Sequence, residues 1–306
     1  MKTQVNRIKL SGGDRVFVLI NSALLVLIFV LVLYPIWFVV IASFSDPELV
    51  NTGRVVLFPM GWTVSGYARV LRYGEIWTGY GNTIFYTVLG TLLNLAATLP
   101  CAYALSRRDM VGRNVLMTLF IITMYFGGGL IPSYLNVKSL GLLNTRLYML
   151  IGGLVSAYNI IVSRTFFANT IPWEMHEAAR IDGASDACMF LKIILPLSKP
   201  IIAVMALYYG VGHWNSYFNA MIYLKDRALY PLQLFLREIL VQSKLATLVA
   251  EEGADEATLK YIEEQQMIAN LLKYCVIVIS TAPMMVIYPW MQRFFAKGVM
   301  IGSVKG

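Results

Sequence analysis

Side chains able to do covalent or metal chemistry are few and scattered among these 306 residues. Only two histidines occur, His176 and His213, and the three cysteines, Cys101, Cys188 and Cys275, lie far apart. That inventory argues against a His-ligated metal and against a disulfide framework. No Gly-x-x-x-x-Gly-Lys-Ser/Thr run is present to cradle a nucleotide phosphate. Hydrogen-bonding and aromatic side chains, by contrast, recur at helical spacing inside apolar stretches. Thr87, Thr91, Asn94 and Thr98 fall on one helical face, and Tyr208, Gly212, Asn215 and Asn219 repeat the spacing with Trp214 alongside. Amides, hydroxyls and flat rings suit a hydroxyl-rich solute. Asn94, Thr98, Tyr208, Trp214, Asn215 and Asn219 are therefore candidates to line a polar path; the competing reading is hydrogen bonding between membrane helices, about 0.6 kcal/mol on average.

A second constellation lies between Thr170 and Pro200, TIPWEMHEAARIDGASDACMFLKIILPLSKP. Thr170 is a possible helix cap and Pro172 suits a first helical turn. Glu174 and Glu177 favour the N-terminal half of that helix, and Gly183 suits its left-handed end. A short second helix from about Ala184 to Ile194 is expected to stop before Pro196. The product is a helix–turn–helix elbow over 170–196, with Ala178 and Ala179 small enough for another surface to approach and Glu177 offering a carboxylate to a cationic partner.

The elements that must hold these groups follow from composition. Apolar residues make up 58% of the chain and charged residues 14%, and Phe17 to Phe44 contains no charge. About 20 such residues span a bilayer as a helix, so the chain reads as an all-α integral membrane protein. Six transmembrane helices are expected near 17–42, 82–105, 114–135, 147–166, 200–222 and 270–290. Residues 1–16 and 291–306 become terminal segments, and 223–269 an insertion on the outer side. With both termini inside, the inner segments hold 14 Lys and Arg against 6 Asp and Glu, while the rest of the chain balances at 11 against 11. The net charge of +8 is thus wholly cytoplasmic, as the positive-inside rule requires, and a nucleic-acid partner is not indicated. In the insertion, Leu232, Phe235, Leu236 and Ile239 predict an amphipathic helix at the membrane surface, followed by an acidic stretch over 251–264. The spans carry no carboxylate, which disfavours an intramembrane hydrolase and an ion-coupled carrier.

The elbow carries a resemblance. Glu177-Ala178-Ala179, Gly183, Ile193 and Leu195-Pro196 stand at the spacing of the EAA signature of permease subunits of bacterial ABC importers. The ending Phe295-x-x-Gly298-x-x-x-Gly302-Ser303-Val304-Lys305-Gly306 resembles maltose-transporter-type carbohydrate permeases. The stretches 126–145 and 230–240 resemble the subgroup for oligosaccharides and polysaccharide fragments. The resemblance implies a type I ABC importer permease fold whose elbow is a coupling helix seated on an ATPase subunit. It implies a second, usually different, permease subunit, two cytoplasmic ATPase subunits carrying ATP and Mg, and an extracytoplasmic solute-binding protein that delivers an oligosaccharide. This chain would hold no cofactor of its own. Lys305 and Gly306, with Gly302, would reach the ATPase interface, and the location would be a bacterial inner or plasma membrane. A permease for a non-sugar solute and a self-contained carrier or channel are the alternatives.

Overall fold

Capping, proline and glycine chemistry sets most of the element boundaries. The computed structural model describes residues 11–250 and 272–289, and among them every regular element is helical. In order these are α1 (Gly12–Ser43), α2 (Pro47–Asn51), α3 (Ser65–Arg72), α4 (Gly74–Ser106), α5 (Arg113–Tyr125), α6 (Leu130–Ser139), α7 (Arg146–Ile151) and α8 (Ala157–Thr170). There follow α9 (Trp173–Ile181), α10 (Asp186–Met189) running through a π-helical turn (Phe190–Ile194) into α11 (Leu195–Leu197), then α12 (Lys199–Trp214), α13 (Tyr217–Tyr223) and α14 (Leu232–Ala250). A last helix, α15, covers Leu272–Pro289. The chain separates into two units, residues 1–69 with 243–278, and residues 70–242 with 279–306.

In the first unit α1 opens with a reciprocal cap. Ser11 Oγ accepts the Asp14 N–H (3.2 Å) while the Asp14 carboxylate accepts the Ser11 N–H (3.1 Å). Its apolar side chains are exposed from Val16 to Tyr34, and burial begins only at Ile41. Apolar surface left in water forgoes about 25 cal/mol per Å². Hydrocarbon removes that penalty, and α1 is long and apolar enough to cross a membrane. At its buried end the Ser43 hydroxyl bonds the Tyr67 hydroxyl (2.7 Å), and the Cys275 thiol donates to the Ser43 carbonyl (3.4 Å).

Three described helices, α1, α4 and α15, are long and apolar enough to cross a membrane, and two bent pairs bring the number to five. The differences from six uninterrupted spans are local breaks. The span expected at 114–135 is α5 and α6, turned by 114° after Gly127-Gly128-Gly129; Gly129, at φ +84° and ψ 174°, has a conformation reserved for glycine. The span expected at 147–166 is α7 and α8, separated at Gly152-Gly153. The span expected at 200–222 is α12 and α13, separated at Asn215-Ser216, and α12 itself leaves the elbow at an 83° bend. Helix α14 does not lie on a membrane surface at its start. Leu232, Leu234, Phe235 and Leu236 are buried in the second unit, the Leu232 N–H donates to Thr83 Oγ1 (2.8 Å), and a β-carbon at Gly79 would meet the Phe235 ring at 2.9 Å.

A break in a membrane helix frees backbone groups that lipid cannot satisfy. At the α7–α8 break the neighbours do so. Asn94 Nδ2, from the middle of α4, donates to the carbonyls of Gly153 (3.0 Å) and Leu154 (2.7 Å). Tyr209 Oη, from α12, accepts the Ser156 N–H (3.3 Å) and bonds Thr98 Oγ1 (2.7 Å). Asn94→Ala leaves two carbonyls and the His213 imidazole without their partner, at about 1–3 kcal/mol for each buried group. Thermal denaturation of the purified protein in detergent should fall markedly for Asn94→Ala and only slightly for Thr98→Val, because the Tyr209 hydroxyl keeps its bond to Ser156.

Candidate functional site

The elbow is built from local signals and tied down by distant ones. Helix α9 ends in a paired cap: the Gly183 N–H donates to the Arg180 carbonyl (3.1 Å) and the Ala184 N–H to the Ala179 carbonyl (2.9 Å), with Gly183 at φ +72°. Two boundaries differ from expectation. Thr170 is the last residue of α8 and caps nothing, and Pro172 occupies the N-cap of α9 without a side-chain bond. The second elbow helix does not stop before Pro196. Its N-cap is Ser185, whose Oγ accepts the Cys188 N–H (3.2 Å), and the chain passes Pro196 through the π turn, where the Leu195 N–H reaches back to Phe190. The wider π turn rearranges the backbone bonding just where proline supplies no N–H.

Of the signature residues, Ala179 is buried with Phe167, Ile171, Met189 and Ile194 in the core beneath the elbow. Ile193 and Leu195 are half-buried, and Glu177, Ala178, Gly183 and Pro196 are exposed. The outer surface thus carries a carboxylate and a methyl-sized residue next to Ile181, which is 85% exposed. Val111, in the α4–α5 loop, is 95% exposed.

That loop also supplies an ion-pair cluster that no spacing in the sequence announces. Arg107 makes a two-pronged pair with Asp109 (Nη2 2.6 Å, Nε 2.9 Å) and a pair with Asp186 in the first turn of α10. Arg180 of α9 reaches Asp109 at 3.4 Å. Both arms of the elbow are therefore bound to one loop. The Arg107 guanidinium holds the Asp109 carboxyl down to about 2, and Arg107 itself is pushed up by the same carboxylates. The Arg107–Asp109 pair therefore persists down to about pH 2, where Asp109 takes up its proton.

Beside this cluster His176 stacks on Trp173 (centroids 4.9 Å) and on Tyr103 (5.9 Å). Burial, opposed by the Pro172 backbone, aided by Arg107 and opposed again by Asp109 and Asp186, pushes its imidazole below the ordinary range. A histidine lowered on folding contributes stability that is complete above its unfolded pKa of about 6.5 and lost as pH falls through its folded value. The fluorescence difference between the protein and Trp173→Phe should accordingly titrate with a midpoint below 6.5, and His176→Phe should abolish that transition. At Gly183 a β-carbon would meet nothing within 4 Å, so substitution strains the backbone alone. Gly183→Val should lower stability by about 1–2 kcal/mol in thermal denaturation and Gly183→Asn by less, since asparagine tolerates the left-handed region.

The polar stripes part company. Asn94 and Thr98 are fully buried and face protein, holding the α7–α8 break. Tyr208 and Asn219 are exposed and line a pocket of about 220 Å³ with Tyr148, Gly153, His213 and Ser216. Trp214 is buried, its Nε1 donating to the Ser280 carbonyl (3.0 Å). Asn215 ends α12, with Nδ2 donating to the Val211 carbonyl (3.0 Å). These last two border a second pocket of about 180 Å³ with Thr281 and Tyr288. His213 is a pocket residue that periodicity did not single out. The signal was available in Gly90, where a β-carbon would stand 2.5 Å from the imidazole and only glycine leaves it room. Gly302, Lys305 and Gly306 lie outside the described residues, as does the acidic stretch 251–264. No group of three or more His, Cys, Asp or Glu side chains able to hold a metal occurs among the described residues.

Comparison with known proteins converges on one family. Residues 76–301 match the model of the "binding-protein-dependent transport system inner membrane component". Protein LplC of Bacillus subtilis is 39% identical over 96% of both chains. The polygalacturonan/rhamnogalacturonan transport system permease protein YtcP of the same organism is 37% identical over 96% of this chain and 99% of its own. Among solved structures, one chain of a bacterial ABC transporter involved in the import of the acidic polysaccharide alginate superposes with a TM-score of 0.82 at 36% identity. It matches over 94% of this chain and 99% of its own. The broken spans, the tethered elbow and matches over nearly the full length lead to one conclusion: the chain belongs to the family of inner membrane components of binding-protein-dependent ABC importers.

Proposed function

We propose that this permease subunit carries oligosaccharides bearing uronic acids, and that the elbow is where ATP-driven motion enters it. The substrate class rests on the polygalacturonan/rhamnogalacturonan and alginate relatives, whose similarity extends over at least 94% of this chain. The observation that carries the coupling role is the elbow surface. Glu177, Ala178 and Ile181 face outward on α9, which buries Ala179 beneath it, and both arms of the elbow are ion-paired to the α4–α5 loop, α9 through Arg180 and α10 through Asp186. A rigid body with an exposed apolar and acidic face suits docking into a groove of another subunit, and small residues let the backbones approach. The coupling set is Glu177, Ala178, Ala179, Gly183, Ile193, Leu195 and Pro196, with the C-terminal Gly302, Lys305 and Gly306 contributing to the same partner.

In this reading two ATPase subunits hold ATP and Mg on the cytoplasmic side, a second permease subunit completes the path, and an extracytoplasmic binding protein delivers the sugar. Both termini are cytoplasmic in a bacterial plasma membrane. Closure of the ATPase pair moves the elbow, and α12, which leaves it at 83°, carries that motion into the membrane. Reconstitution of the four kinds of component in proteoliposomes should give ATP-dependent uptake of an oligogalacturonide or oligoalginate. Omission of the ATPase or the binding protein should abolish it, and uptake through this chain alone would refute the proposal.

A further inference from the structure

Helix α12 leaves the elbow by one covalent joint, bent by 83° at Ser198. A body held at a single bent joint can swivel as well as translate, so a push on the elbow would be passed on only in part. A second attachment removes that freedom, and α4 supplies one. Tyr103, one turn before the end of α4, is buried against both arms of the elbow. Its ring stacks on His176 of α9 (5.9 Å), its centroid lies 5.2 Å from that of Phe190 in the π turn, and its hydroxyl donates to Met189 Sδ (3.6 Å). Arg107, the C-cap of α4, then pairs with Asp186 of α10. Asp109 occupies the Nε and Nη2 edge of the guanidinium, which fixes its plane and leaves Nη1 for Asp186. The Arg107 side chain is 14% exposed and that of Asp186 75%, so the cation is seated at the end of α4 and the carboxylate is what the elbow brings to it. That end is anchored in turn: Arg164 Nε of α8 donates to the Leu105 carbonyl (3.1 Å), and Arg113 Nη1 of α5 to the Arg107 carbonyl (3.1 Å).

We infer that Arg107 is a positioning residue of the transport cycle, whose contact with Asp186 makes α4 a second lever, beside α12, through which movement of the elbow enters the membrane. The inference rests on the coupling reading above and adds to it a route and the residue that carries it. Coupling travels through packed side chains, ion pairs and rigid elements that are contiguous, and each link here is a named contact. Both helices that brace the α7–α8 break, α4 through Asn94 and α12 through Tyr209, thereby receive the same displacement at their cytoplasmic ends. With the Asp186 contact cut, α12 moves while α4 lags. Nucleotide is then hydrolysed in cycles that carry no solute.

The test uses the full transporter in proteoliposomes with its binding protein and an oligogalacturonide, and reads sugar imported per ATP hydrolysed. Asp186→Asn removes the carboxylate at an exposed position and leaves the Asp109 fork and the outer face of α9 as they are. The ratio should fall about fivefold, the lower end of coupling between sites, with hydrolysis reduced less than uptake. Asp186→Glu, which keeps the charge, should restore it. A contact that only stabilises the fold lowers uptake and hydrolysis together; an unchanged ratio, or no rescue by Asp186→Glu, therefore overturns the inference. Should Asp186→Asn fail to assemble, Arg107→Lys decides, since the ammonium keeps the charge and loses the fork. A lowered ratio then supports the lever and a wild-type ratio overturns it. Ile181→Asp serves as the control on the coupling reading, because it puts a charge on the outer face of α9. Wild-type uptake by Ile181→Asp refutes the elbow as the ATPase contact, whereas lost uptake there with a wild-type ratio in Asp186→Asn refutes the role of Arg107 alone.

Discussion

The membrane unit depends on how its interrupted helices are satisfied. A helix crossing hydrocarbon needs no outside partner for its backbone, but one that stops at Gly152-Gly153 does. Asn94 supplies two donors to the carbonyls of Gly153 and Leu154, and Tyr209 accepts from Ser156 on the far side of the gap. Those two side chains belong to α4 and α12, so three spans are joined at the gap that α7 and α8 alone would leave unsatisfied. The break also makes concavity possible. A continuous helix would fill the space beside Gly153 with its own side chains, whereas the exposed turn forms one wall of the pocket that His213, Ser216 and Asn219 also line.

A different kind of interaction organises the elbow. Helices α9 and α10 are too short to hold an orientation by their own hydrogen bonds. Burial of Ala179, Met189 and Ile194 fixes one face, and the Arg107 cluster fixes the two arms against the α4–α5 loop. Exposed ion pairs are worth little singly, about 0–1 kcal/mol. Arg107, however, is largely buried and shared between two carboxylates, which makes the set directional. The effect is less to stabilise the fold than to make the elbow and loop move as one piece, leaving Glu177, Ala178 and Ile181 free on the outer face.

Features governed by neighbours in sequence were legible before any coordinates. The elbow, its turn at Gly183 and the α1 span all follow from capping, backbone freedom and hydrophobic length. Features governed by partners far along the chain were not. Periodicity placed Asn94 and Thr98 on one face correctly but could not say whether that face meets solute or protein; their partners lie about 60 and 111 residues away. The Arg107 pair with Asp186 spans 79 residues, and nothing local marks it. Pro196 misled for another reason: a proline normally closes a helix, but here the π turn rearranges the bonding around it. The amphipathic pattern at Leu232 was likewise real, yet its apolar side found α4 rather than lipid.

Coupling over distance needs a contiguous element with two sites on it, and α12 qualifies. Its N-terminal end leaves the elbow at Ser198, which is buried and bonded back to Ile194 (2.7 Å). Three turns on, Tyr209 holds the α7–α8 gap, and one turn further His213 meets Asn94. The sixteen residues between Lys199 and Trp214 contain Pro only in the first turn, where it removes no helical bond. A helix of that length without an interior break transmits tilt and rotation along about 24 Å at 1.5 Å per residue. Rotation of α12 about its axis would turn His213 and Tyr209 together, and both bonds point to groups that are themselves fixed, one in α4 and one in the gap. The pocket and the elbow therefore cannot change independently: altering one requires breaking or re-aiming the hydrogen bonds that hold the other.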